Sequence, residues 1–155
     1  MHLTPLFLGA LAALAPAVQA VGNAIVINNC PFPAYLVRVG QFQGPENKLD
    51  ANGGRYSEQF VRDPVSGGIA LKITRTQGGV PRGDPQTIYA YNLNNNRIWY
   101  DLSNVFGTPF APNALRLAPS DNTCPTIFWP NGVSPGGSQT RDCQPNSDVT
   151  LTLCA

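Results

Sequence analysis

Arg82-Gly83-Asp84 sets a guanidinium and a carboxylate one glycine apart, the tripeptide that integrin receptors read on their ligands. Such a receptor needs the carboxylate for its bound cation and the guanidinium about one extended tripeptide away, with the glycine permitting the turn. The surrounding "TQGGVPRGDPQT" is dense in loop-forming residues, which places the tripeptide on the surface between two strands. Pro81 and Pro85 stiffen both flanks, and a rigid loop loses less entropy on binding than a floppy one. Pro85 also pushes Asp84 towards extended backbone and removes an N–H just after the acid. Two expectations follow: a receptor-binding site, Arg82, Gly83 and Asp84, with host integrin as partner, or a polar solvent-exposed turn.

Other chemistry is narrowed by what the chain lacks. Its one histidine is His2. The apolar run 6–15 is too short to span a bilayer, and Val18-Gln19-Ala20 offers small residues at the positions a signal peptidase inspects. Residues 1–20 therefore read as a signal peptide and 21–155 as one secreted domain. That mature chain has no histidine, which excludes a Ser-His-Asp triad, a Cys-His pair and the usual histidine-containing zinc sites. No catalytic residue, cofactor or metal is assigned. With a formal net charge of +1 and no basic stripe, neither nucleic acid nor an anionic membrane is implied as partner. No second long apolar segment follows the first, so the protein is not expected to be transmembrane. The asparagines of "NLNNN" (92–96) lack the acid spacing of a calcium loop and read as a hairpin turn.

The elements that must carry these residues read as strands. "AIVIN" (24–28), "AYLVRVG" (34–40), "YSEQFV" (56–61), "IALKITR" (69–75), "QTIYAYN" (86–92), "RIWYDL" (97–102), "ALRLA" (114–118) and "DVTLTLC" (148–154) are short, rich in β-branched or aromatic residues, and bounded by Gly, Pro, Asn or Asp. Ile69, Leu71 and Ile73 alternate with Lys72 and Thr74, and Val149, Leu151 and Leu153 with Thr150 and Thr152. This period of two argues an all-β sandwich or barrel of antiparallel strands. With 15 Gly and 15 Pro spread through the chain, no helix is predicted. Tyr89, Tyr91, Trp99 and Tyr100 alternate along two neighbouring strands, so some rings face outward, where they can stack on sugar faces, and others fill the core. The charges of "EQFVRD" read as a solvated strand face.

Secretion makes disulfides the default fate of Cys30, Cys124, Cys143 and Cys154, and spacing alone leaves three pairings. The preferred pairing is Cys30–Cys154 with Cys124–Cys143: the first ties the opening strand to the closing one, the second closes a Pro/Gly-rich loop. The chain-entropy model gives about 5 kcal/mol for the long loop and about 3 for the short one.

"AIVINNCPFPAYLVRVG", "LDANGGRYSEQF" and "IWYDLSNVFG" resemble the corresponding stretches of thaumatin-like proteins. With "GGIALKIT", "PQTIYAYNL" and "WPNGV" the likeness covers the mature chain and is closest to small fungal thaumatin-like proteins of the CetA/CalA type and the related yeast-phase-specific secreted proteins. The resemblance implies an antiparallel β-sandwich with its first and last cysteines bridged, secreted to the fungal cell wall or spore surface, with roles in wall building, germination and host contact. It also implies cell-wall polysaccharide, β-glucan, as partner. The larger plant members carry an acidic cleft linked to weak β-1,3-glucan hydrolysis. Of its residues, the arginine falls on Arg75 and one aspartate on Asp101, but the glutamate falls on Ala90 and a second aspartate on Phe106. Glycoside cleavage needs two carboxyl groups, so the expectation is a protein that binds rather than cuts. Asp101 then either holds a sugar hydroxyl or caps the turn "DLSN", and Asp84, Asp121 or Glu58 would have to approach it for hydrolysis. The candidate cleft is Arg75, Tyr89, Tyr91, Trp99 and Asp101.

Mass spectrometry of the secreted protein checks the processing: we expect Val21 as N-terminus and a mass short of the fully reduced chain by four hydrogens. A chain starting elsewhere, or one that takes up thiol reagent without reduction, would overturn this.

Overall fold

The structure is a computed structural model that describes residues 20–155, so all of the predicted signal peptide but Ala20 lies outside the described residues. Along the chain run β1 (Asn23–Asn28), β2 (Ala34–Val39), β3 (Gln43–Leu49), β4 (Gly54–Gln59), β5 (Ile69–Thr74), a single helical turn α1 (Gly79–Arg82), β6 (Gln86–Asn94), β7 (Arg97–Val105), β8 (Leu115–Pro119), β9 (Ile127–Trp129), β10 (Arg141–Cys143) and β11 (Val149–Leu153). Two sheets stack: five strands in the order β4-β1-β11-β8-β9, and six in the order β10-β7-β6-β5-β2-β3.

All eight predicted strands form, with shifted ends. Three more were missed. β3 is polar and carries Pro45, and it survives because it pairs only with β2 and needs no donor on its free side. β9 and β10 have three residues each, too few to show a period. The predicted alternation is obeyed on β5 and β11, whose aliphatic residues fill the core with Tyr89, Tyr91, Tyr100 and Trp129. Thr74 departs from it. Its alternation points away from the core, yet it is buried because α1 folds back over it: a Cβ on Gly79 would lie 2.7 Å from the Thr74 hydroxyl. That turn is also a correction, since no helix was predicted.

Antiparallel pairing holds everywhere in the two sheets except between β1 and β11, which run parallel with Ala24 beside Val149 and Asn28 beside Leu153. The disulfides are Cys30–Cys154 and Cys124–Cys143, as preferred from the sequence. Fully buried Asn28 holds the end of β1: its Nδ2 donates to the carbonyls of Phe32 (2.9 Å), Leu49 and Asp50 (both 3.1 Å), while its Oδ1 accepts from the Cys30 N–H (3.1 Å).

Glu58 is the second polar tie, and it corrects the reading of "EQFVRD" as a solvated face. It points between the sheets and accepts from the hydroxyls of Tyr91 and Tyr56 and from Arg38 Nε at 2.9 Å. Burial, reinforced by the hydrogen bond to Glu58, pushes both phenols well above their ordinary range. Since β4 lies in one sheet and β2 and β6 in the other, one carboxylate joins the two layers. Glu58→Gln removes the charge that Arg38 faces and one of the two acceptor oxygens. We expect a loss of about 2 kcal/mol in urea unfolding, from the usual worth of hydrogen bonds to a charged group; an unchanged midpoint would reduce this cluster to a bystander.

Candidate functional site: a groove across the six-stranded sheet

Strand register builds the site. Val39 pairs with Ala70, Ala70 with Ala90, and Ala90 with Asp101, so these four residues form one row across β2, β5, β6 and β7. Tyr100 pairs with Arg141, which brings Thr140 level with Asp101, and Thr140 Oγ1 donates to Asp101 Oδ1 at 3.1 Å. Residues of this parity point away from the core. Two adjacent alanines in the middle of a face otherwise set with longer side chains leave a trough of about 400 Å³, lined by Val39, Ala70, Ala90, Trp99, Asp101 and Thr140 among others.

The two rims differ in make-up. Trp99 stands on one side at 42% exposure, between Asn92 and Asp142 of the neighbouring strands. The other side is formed by the turn after β2 and the segment 63–68, with Phe42 (75% exposed) and Val65 (66%) close by in the chain. Asp63 fastens those two segments together. Its carboxylate accepts from the backbone N–H of Gln41 (2.7 Å), Val65 and Ser66 (both 2.9 Å). These backbone donors, Ser66 and Gln41 foremost, hold its carboxyl down at about 2.

The predicted cleft residues separate. Trp99 and Asp101 meet in the groove. Tyr89 and Tyr91 are buried in the core, their rings inward, and Tyr91 gives the groove only its surroundings at the floor. Tyr100 is likewise buried, and burial pushes its hydroxyl up to about 12. Arg75 lies at the far end of the sheet: Gln86, the β6 residue nearest it, is four residues from Ala90, about 13 Å along a strand. It lines a different depression with Thr76, Asp84, Pro85 and Pro109. Asp101 is in mid-strand, so it does not cap a turn at "DLSN". None of Asp84, Asp121 and Glu58 lines the groove, and Asp101 is the one acid that does.

Arg82-Gly83-Asp84 also departs from expectation. Arg82 ends α1 and Gly83 caps it in the left-handed region at φ 72°. Asp84 Oδ2 accepts from Arg82 Nη2 (2.7 Å) and from Thr76 Oγ1 (2.5 Å), so guanidinium and carboxylate touch instead of standing an extended tripeptide apart. The Thr76 hydroxyl and then Arg82 hold the Asp84 carboxyl below its usual range. The tripeptide is at the surface, but a receptor reading both groups must first part them.

Sequence reasoning missed Asn92, Thr140, Asp63 and the alanine pair. Only Asp63 left a signal, in "DPVS", where an acid precedes backbone N–H groups it can cap. The others acquire meaning from cross-strand neighbours.

A nearly all-β, two-sheet sandwich whose first and last cysteines are joined is the thaumatin-like architecture, and comparison with known proteins places the chain within it. Residues 11–155 match the family described as Blastomyces yeast-phase-specific protein, and the chain belongs to that family. It is 31% identical over 160 aligned residues to an antigenic thaumatin-like protein of Arthroderma benhamiae, covering 96% of this chain and 80% of that one. It is 28% identical over 151 residues to the secreted thaumatin-like protein calA of Emericella nidulans, covering 90% and 85%. The crystal structure of the protein elicitor MoHrip2 from Magnaporthe oryzae superposes with a TM-score of 0.72 at 26% identity, over 86% of this chain and 99% of that one. Among the described residues no helix is long and apolar enough to cross a membrane.

Asp63 makes the rim testable by pH. Its folded value, about 2, lies below the ordinary unfolded value of about 3.9. The stability it contributes is thus full above the unfolded value and lost as pH falls through the folded one. We expect Asp63→Asn to lower Tm at pH 6, with the gap to wild type closing as pH drops from about 4 to about 2. A gap constant with pH would deny the carboxylate its role.

Proposed function

We propose that this protein is an extracellular, non-enzymatic binding protein of the fungal cell wall or spore surface that holds β-glucan in the groove across its six-stranded sheet. Wall formation or germination is the setting in which such binding acts. The observation that carries the reading is the row Val39–Ala70–Ala90–Asp101 with Trp99 above it. A pyranose presents an apolar C–H face and a rim of hydroxyls. The exposed indole suits the face, and Asp101, Thr140 and Asn92 suit the rim. The alanine floor lets a chain lie close to the sheet.

Secretion is supported by the secreted relative and by the two disulfides, which an oxidising compartment favours. Binding without cleavage is supported by the lone carboxylate of the groove: glycoside hydrolysis by either common route takes two carboxyl groups flanking the bond. Ala90, beside Asp101 in register, supplies a methyl at the position where the resemblance to the plant members puts their glutamate. Host-cell attachment through Arg82 and Asp84 is a separate reading. Exposure of the turn favours it, and it requires the 2.7 Å pair to open when a receptor docks.

Co-sedimentation with insoluble β-1,3-glucan tests the main reading. Wild type is expected to sediment with the polymer. Trp99→Ala should weaken binding by about tenfold, in keeping with 1–2 kcal/mol for a lost aromatic platform, and Asp101→Asn by less, with no reducing sugar released by any of them. Unchanged binding in Trp99→Ala would remove the groove from the account, and sugar release that Asp101→Asn abolishes would make the protein a glucanase.

A further inference from the structure

At the end of the sheet remote from the glucan groove lies a depression of about 390 Å³ lined by Arg75, Thr76, Asp84, Pro85 and Pro109. Arg75 is held flat within it: its guanidinium carbon sits 3.7 Å from the centroid of the Phe32 ring. Stacking uses the face of a guanidinium and leaves its edge, the N–H fork that matches a carboxylate, free. Among the described residues that fork meets no carboxylate, since the ion pairs involve Arg38, Lys48, Arg82 and Arg97. Asp84, the one acid of the depression, is already neutralised by Arg82. The depression therefore carries one uncompensated positive charge, on an exposed arginine that rests against the Phe32 ring.

A second observation points to a ligand at the same place. Phe106 is held at φ 59°, a left-handed conformation that costs free energy for a bulky side chain, and yet its ring is 71% exposed. It follows Val105, which pairs with Gln86, so Phe106 stands opposite Pro85. The turn is pressed onto that proline: a Cβ on Gly107 would lie 3.1 Å from Pro85 Cβ and Cγ. The fold thus spends strain to display a ring at the turn that packs on Pro85, one wall of the depression.

We propose that this depression binds a uronate residue of an acidic polysaccharide. The sugar carboxylate takes the Arg75 fork in two parallel hydrogen bonds, and the C–H face of the ring lies against Pro85, Pro109 and Phe106. Charge complementarity selects an anion, and the ring-sized apolar walls select a sugar over a small inorganic ion. The site is independent of the glucan groove, so either can fail without the other.

Titration of the isotope-labelled, oxidised mature protein with tetragalacturonate, followed by NMR, tests this beside the neutral β-1,3-glucan tetramer and an acetylated peptide with a free C-terminal carboxylate. Tetragalacturonate is expected to shift the Arg75 Nε–H and Phe106 amide signals, more weakly at high salt, while the Trp99 indole stays still. Arg75→Gln should raise Kd by about tenfold or more, the loss of a charge-assisted bidentate contact. Arg75→Lys keeps the charge without the planar fork, and Phe106→Ala removes the displayed ring; both should weaken binding and serve if Arg75→Gln fails to fold. No shift at millimolar tetragalacturonate, equal shifts with the neutral tetramer, equal affinity for the peptide, or binding indifferent to all three substitutions would each overturn the assignment.

Discussion

The fold depends on a single parallel pairing, β1 against β11, between the opening and closing strands of the domain. Parallel neighbours cannot be joined by a tight turn, so everything between them is the crossover, and the pair forms only when the whole chain has come round. Three devices then hold it. Cys30–Cys154 links the strand ends across a sequence separation of 124. The Asn28 amide, buried without charge, bonds three carbonyls and one N–H beside the disulfide, so its own polar atoms are all paired. Core side chains of β1 and β11 pack against the facing sheet. Because β1 also pairs with β4, this assembly fixes the five-stranded layer, and Glu58 on β4 carries the constraint into the other layer through Tyr91 and Arg38.

The six-stranded layer can then be used on its outer face. Its inner face is spent on Leu36, Leu71, Ile73, Tyr89, Tyr91 and Tyr100. On the outer face side-chain size varies along a single register row, and two methyl groups between larger neighbours make a trough. A flat sheet face offers little concavity, so small residues at paired positions are the simplest way to create it. The far rim is a loop, yet Asp63 braces it with two backbone hydrogen bonds inside the loop and ties it by a third, from Gln41, to the turn after β2, which gives a loop-built wall the positional definition of a strand-built one. The groove thus combines one exposed indole, Trp99, with one carboxylate, Asp101.

The opposite end of the same sheet is built on different physics. There α1 folds over Thr74, Arg82 turns back onto Asp84, and Arg75 is left with only an aromatic face for company. Two arginines seven residues apart are thus in opposite states: Arg82 compensated by an acid, Arg75 unpaired and oriented. The Arg82–Asp84 pair is held together with the Thr76 hydroxyl, and Phe106 is displayed by the turn that follows β7.

The sequence alone determined the all-β class, eight of the strands and the single domain; it left three disulfide pairings open, of which the structure holds the preferred one. The reasons are local: alternation over five or six residues and punctuation by glycine and proline require no knowledge of partners. The resemblance carried by "AIVINNCPFP" and "IWYDLSNVFG" identified the family for the same reason, because it lies in contiguous residues. The tertiary structure decided which alternating aromatics face outward, sending Trp99 to the groove and Tyr89 and Tyr91 to the core. It decided that Ala90 stands beside Asp101, that Arg75 and Asp101 serve different depressions, that half-buried Glu58 bridges the layers, and that the Arg82-Gly83-Asp84 groups pair with each other. Each of these rests on cross-strand register or on a loop folding back over a sheet. Period-two patterning says that a residue has two faces to choose from, but it does not say which neighbour it will meet there.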